Sequence, residues 1–148
     1  MGVAMDVFRC NTPHETKGLG KEFGAKLKAG DVVLLDGSLG AGKTVFASGI
    51  AEALGCDGYI TSPTYCLVNE YRGKKMDFIH IDVYRLDDPA EIIEIGLGEY
   101  IDGGGVVVIE WGGMVLQYVP ANPIKVMIEQ CSYGGGEART VTITGLDV

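Results

Sequence analysis

The apolar run Val32-Val33-Leu34-Leu35 leads, through Asp36, into Gly37-Ser38-Leu39-Gly40-Ala41-Gly42-Lys43-Thr44. That octapeptide satisfies the pattern G-x-x-x-x-G-K-[ST] in full. Glycines let the backbone bend sharply and aim its N–H groups inward, where phosphate oxygens sit. The helix expected from Lys43 to about Leu54, stopped by Gly55, adds the positive end of its dipole. Lys43 is placed to reach the β- and γ-phosphates, and the Thr44 hydroxyl to ligate Mg²⁺. A buried strand, a glycine loop and a helix in this order belong to α/β folds built on parallel strands.

The rest of the chain fits around that unit. Thr12-Pro13-His14-Glu15 reads as a helix start: Thr12 caps, Pro13 suits the first position, and Glu15 completes a capping box. Leu19, Phe23 and Leu27 then recur at helical spacing, and Gly30 ends the segment. Tyr59 to Thr61 reads as a short strand. Tyr65 to Tyr71 and Met76 to Asp82 are strand-like and joined by the polar turn Arg72-Gly73-Lys74-Lys75. Asp88-Pro89 opens a short helix through Ile95, and Gly105 to Glu110 is a buried strand. Ile124, Val126 and Ile128 alternate with polar or wet positions, and Arg139 to Thr144 returns as a partner strand after the turn Tyr133 to Gly136. The pattern predicts one P-loop-like three-layer α/β domain over 1–148, with a central mixed, largely parallel sheet.

Composition narrows the function. The 148 residues suffice for one domain with a core, and no apolar run approaches the ~20 residues of a membrane span. The N-terminal stretch lacks the features of a signal peptide, so a cytoplasmic protein without membrane attachment is expected. A net charge of −8 argues against a broad nucleic-acid-binding face. Cys10, Cys56, Cys66 and Cys131 have no metal or redox spacing and read as reduced thiols. The 23 glycines are about twice the usual share, and clusters such as Gly103 to Gly105 read as tight turns.

The guanine signature N/T-K-x-D is absent, so ATP or ADP with Mg²⁺ is the expected ligand. Small-molecule kinases gather several arginines on the transferred phosphoryl group. With only Arg9, Arg72, Arg85 and Arg139, a stand-alone phosphotransferase remains the rival reading rather than the first. A P-loop protein needs a second Mg²⁺ anchor, commonly an acid at a strand end. Asp82 and Glu110 both qualify: Asp82 suits a water-mediated metal shell, and Glu110 the shell or the attacking water. The competing role for each is a helix cap. Thr64, in Ser62-Pro63-Thr64, is placed either to close onto Mg²⁺ and the γ-phosphate or to cap a turn. His80, between apolar residues and beside Asp82, reads as a structural partner before a base, and Trp111, beside Glu110, as core packing or a reporter of the site.

LDGSLGAGKT, TSPTYCLVNEY, HIDVYRL, IGLGEYI and VVVIEWG occur in the order and spacing of the TsaE (YjeE) family, and the chain resembles that family over nearly its whole length. The resemblance implies a bacterial cytoplasmic ATPase that works in making N6-threonylcarbamoyladenosine at position 37 of tRNA. It implies a TsaB–TsaD heterodimer as partner, with TsaD carrying out the carbamoyl transfer and tRNA met only through the complex. It further implies phosphate and Mg²⁺ binding by the loop residues Ser38 to Thr44. Thr64 resembles the switch threonine, Asp82 the Walker-B-like acid and Glu110 the acid before the family's tryptophan. Thr16 and Arg139 match positions near the nucleotide. Two departures stand out: Ser38 replaces a usual acid, and Gly113 stands where an acid is common.

Overall fold

A computed structural model describes residues 5–38, 40–57, 60, 68–131, 136 and 138–146. Helix α1 (Pro13–Gly24) starts as its sequence dictates. Thr12 Oγ1 accepts the Glu15 N–H at 3.2 Å, and Glu15 Oε2 accepts the Thr12 N–H at 3.0 Å. The helix stops before Leu27, earlier than expected. There the chain tightens into turns in which Lys26 N–H donates to Phe23 O and Leu27 N–H to Gly24 O, and Leu27 is still delivered to the core.

Strand β1 (Met5–Cys10) precedes α1, and β2 (Val32–Gly37) follows it. Helix α2 (Lys43–Ala53) leads, after the loop, to β3 (Val68–Tyr71) and β4 (Phe78–Asp82). Then come α3 (Glu91–Ile95), α4 (Leu97–Asp102), β5 (Val106–Glu110) and a 3-10 helix (Gly112–Tyr118). Strands β6 (Ile124–Gln130) and β7 (Arg139–Thr144) close the described chain. Three of these elements, β1, α4 and the 3-10 helix, were not expected from sequence pattern. Strand β4 begins two residues later than the expected Met76. The expected strand at Tyr59 to Thr61 and the first part of the Tyr65 to Tyr71 run lie outside the described residues, Ile60 apart.

Among the described residues seven strands form one mixed sheet in the order β1-β7-β6-β2-β5-β4-β3. The four central strands, β6, β2, β5 and β4, run parallel; β7, β1 and β3 join at the flanks antiparallel. Residues of α1 and α2 cover one face, packing Phe23, Phe46 and Ile50 on Val33, Leu35 and Val108. Residues of α3, α4 and the 3-10 helix cover the other, packing Ile92, Leu97 and Val115 on Leu34, Ile81 and Ile109. The period of two along β2 and β5 feeds alternate side chains to the two layers. Among the described residues no helix is long and apolar enough to cross a membrane. Cys10, Cys56 and Cys131 are free thiols; Cys66 lies outside the described residues.

Glycine sets the distance between α1 and α2. A Cβ on Gly20 would lie 2.3 Å from Phe46 O, and one on Gly49 would lie 2.2 Å from Lys17 O. Backbone meets backbone there, and no side-chain rotation relieves a clash. Gly49→Val is therefore expected to destabilise the fold by about 3 kcal/mol, the upper range for overpacking. Urea unfolding checks this, and a midpoint equal to wild type would show that the two helices part without cost.

Candidate functional site

The glycine loop leaves the C-terminal end of β2, whose neighbours β5 and β6 lie on either side. Crevices beyond the carboxyl ends of parallel strands are where open α/β sheets bind ligands. Gly42 begins α2 with φ of 103°, a conformation that side-chain-bearing residues rarely adopt, so the turn into the helix needs glycine.

Lys43 is 6% exposed. Its Nζ donates to Gly37 O at 2.7 Å and lies 3.7 Å from the centroid of the Trp111 ring. The ammonium is thus held between a carbonyl and an aromatic face, both of which favour the charged form. Burial lowers its pKa, while Glu110, Asp82 and Asp36 act in the opposite sense. Thr44 is half-buried and already engaged with a neighbour. Ala41 is buried, while Ser38 and Gly40 are exposed. Leu39 and Thr64 lie outside the described residues.

Asp82 and Glu110 end adjacent parallel strands as direct register partners, and Glu110 is also the register partner of Leu35 on β2. In that register their side chains share a sheet face, the one that α2 covers, because Phe78 and Val108, an even number of residues away, pack there. Asp82 Oδ1 accepts the Tyr84 N–H at 2.9 Å. Burial raises the Asp82 pKa; the Tyr84 N–H opposes that rise, and Glu110 adds to it. Glu110 is 3% exposed, and one of its oxygens lies 2.8 Å from His80 Nε2. The approach brings a carboxylate oxygen against a ring nitrogen in a fully buried setting, and His80 Nδ1 has no hydrogen-bond partner among the described residues. His80 is fully buried behind Glu110, stacked on Phe78, which fits a supporting role.

Arg139 reaches the loop, as a brace. Its Nε donates to Ala41 O at 2.7 Å and Nη2 to Gly40 O at 3.1 Å, while Nη1 donates to Ala138 O and Gly136 O. Thr16 is buried, and its methyl lies 4.0 Å from where a Cβ of Gly42 would be. Its hydroxyl donates to Thr12 O at 3.3 Å, within its own helix. Lys43, Asp82, Glu110, Arg139 and Thr16 therefore all gather around the loop.

Two participants escaped the sequence reading. Asp36 accepts the Gly113 N–H with both carboxylate oxygens, at 3.3 and 3.2 Å. Tyr84 packs on Trp111 with ring centroids 4.8 Å apart. An acid closing an apolar strand next to a phosphate loop is the signal that singles out Asp36. Nothing in the local pattern signals the left-handed backbone of Trp111, φ 63° and ψ 32°, which costs roughly 1–2 kcal/mol for a residue of this kind. Asp36, Ser38, Trp111, Gly113 and Met127 border an open groove of about 720 Å³ beside the loop.

The family model "Threonylcarbamoyl adenosine biosynthesis protein TsaE" matches residues 10–140. The chain is 37% identical over 139 residues to the tRNA threonylcarbamoyladenosine biosynthesis protein TsaE of Bacillus subtilis (strain 168), covering 94% of this chain and 85% of that one. To the protein of the same name from Mycobacterium leprae it is 39% identical over 132 residues, covering 84% and 82% respectively. Among solved structures, a crystal structure of YdiB from Bacillus subtilis superposes with a TM-score of 0.79 at 34% identity, over 99% of this chain and 89% of that one.

Proposed function

The chain belongs to the TsaE family of threonylcarbamoyl adenosine biosynthesis proteins, and from that premise we propose that it is a single-domain, Mg²⁺-dependent ATPase serving tRNA threonylcarbamoyladenosine formation in the cytoplasm. One observation carries the ATPase reading. The loop lysine, at the first turn of α2, shares a corner of the sheet with two carboxylates that end neighbouring parallel strands.

The loop N–H groups and the start of α2 bind the phosphates. Lys43 exchanges its contact with Gly37 O for β- and γ-phosphate oxygens. Thr44 and Asp82 are the residues to hold Mg²⁺, with Glu110 in the shell or orienting the attacking water; Thr64 is assigned the switch that closes on the γ-phosphate. The donor set suits this ion: Mg²⁺ takes hard oxygen ligands, keeps several waters, and needs only one or two protein groups beside the substrate phosphates. When bound, the ion neutralises charge developing on the phosphoryl oxygens. Arg139, spanning Gly40 O and Ala41 O, keeps the loop's curvature.

The proposed partner is the TsaB–TsaD heterodimer, with tRNA met through the complex. Net charge of −8 is consistent with a chain that does not hold RNA by itself. Steady-state ATP hydrolysis, measured alone, with tRNA and with the heterodimer, tests this. Slow turnover alone and a rise of about tenfold or more with the heterodimer are expected, since tenfold needs only about 1.4 kcal/mol of preorganisation. Full stimulation by tRNA alone, or none by the heterodimer, would overturn the reading.

A further inference from the structure

Trp111 occupies the left-handed backbone region, so its turn must be held from outside. Three contacts hold it. Trp111 N–H donates to Leu35 O at 3.0 Å. Gly112 lies so close to β2 that a Cβ there would be 2.7 Å from Leu34 Cβ. Gly113 N–H is shared by both oxygens of Asp36, 77 residues away in sequence. All three contacts come from β2, the strand that runs into the glycine loop. The turn so fixed lays the indole face 3.7 Å from Lys43 Nζ. Gly113 also suits this arrangement by lacking a side chain: a Cβ there would lie 3.5 Å from Asp36 Oδ2, so an acidic side chain would bring a second negative charge close to Asp36.

We propose that Asp36 is a positioning residue for nucleotide binding. By accepting the Gly113 amide it fixes the Trp111 turn, and the indole in turn holds the Lys43 ammonium at the mouth of the loop, preset for a nucleoside polyphosphate. The holding of Lys43 is a property of the ligand-free chain; its effect on affinity rests on the ATPase reading above. Asp36 is well suited to the task because a carboxylate accepts the amide strongly and, at the same time, faces a site that carries a lysine.

Trp111 is the only tryptophan, so the ligand-free emission reports the contact directly. Lys43→Met should shift the emission of the otherwise unaltered protein. In the Asp36→Ala background the same substitution should leave the emission unchanged, because the indole has already left the ammonium. Asp36→Asn, which keeps a carbonyl oxygen for the Gly113 amide, should restore the shift. Equal shifts in the unaltered and Asp36→Ala backgrounds would overturn the proposal. In calorimetry with Mg·ATP, Asp36→Ala should raise Kd about fivefold, equivalent to about 1 kcal/mol, with recovery in Asp36→Asn. Unchanged affinity in Asp36→Ala would remove the effect on binding. Should the unaltered protein bind no nucleotide, the ATPase reading fails, while the emission series still decides whether Asp36 holds the turn.

Discussion

Lys43→Ala should weaken Mg·ATP binding by about a hundredfold. The side chain is the loop's one cation, and charge-assisted hydrogen bonds to phosphate contribute about 1.5–3 kcal/mol each, so losing one or two removes about 3 kcal/mol. The ammonium is already desolvated in the ligand-free chain, 6% exposed, so little further dehydration opposes its transfer from Gly37 O to a phosphate. The alanine variant should fold, because the side chain's losses are one hydrogen bond to Gly37 O, at the last residue of β2, and the contact with the Trp111 ring, both at the end of the sheet. Calorimetry on the folded variant measures the loss, with Trp111 emission as a second reporter. Affinity within threefold of wild type would mean that the loop does not use its lysine and that the phosphate assignment is wrong.

Glu110→Gln and Asp82→Asn should separate binding from turnover. Both substitutions keep side-chain volume, which matters for Glu110 at 3% exposure in a close-packed strand end. Loop amides and Lys43 supply most phosphate contacts, so Kd should stay within a few-fold. Hydrolysis should fall by about 10²–10³-fold, the scale lost when a metal anchor or a water-orienting base is removed. Modification of tRNA by the reconstituted complex should fall in parallel. Full turnover in both variants would remove these acids from the mechanism and leave the strand-end register of Asp82 and Glu110 as a packing feature alone.

The loop was legible because its chemistry is local. The strand before the octapeptide and the helix after it stand where the pattern put them, at Val32–Gly37 and Lys43–Ala53. That Asp82 and Glu110 end strands was legible for a related reason: each closes an apolar run, and the two strands prove to be parallel neighbours. Strand β1 was not, because Met5 and Val7 are exposed and the run MDVFRC has no continuous apolar face; it is a strand only because β7 offers it an edge. Nothing in the sequence around Gly20 or Gly49 signals their role, because the need for glycine there comes from a second helix lying against each. The same limit hid the role of Asp36, whose partner amide belongs to Gly113. Pairings of that kind are set by topology, which pattern along a chain does not encode. The helix expected to run on to Leu27 shows the converse: the apolar spacing was right about which side chain is buried and wrong about the backbone that carries it.

The strand order has a consequence for synthesis on the ribosome. The chain emerges from its N-terminus, so β1, α1, β2, the loop and α2 are made first, yet among the described residues β2 is flanked by β5 and β6, and β1 by β7. The two early helices can meet at once through their glycine faces, and β3 can pair with β4. The strand beneath the phosphate loop has to wait until Val106–Glu110 and Ile124–Gln130 have left the exit tunnel. A nascent chain halted after α4 therefore carries every loop residue and none of the strands that flank β2, and its exposed apolar Val-Val-Leu-Leu run is the segment a chaperone would meet.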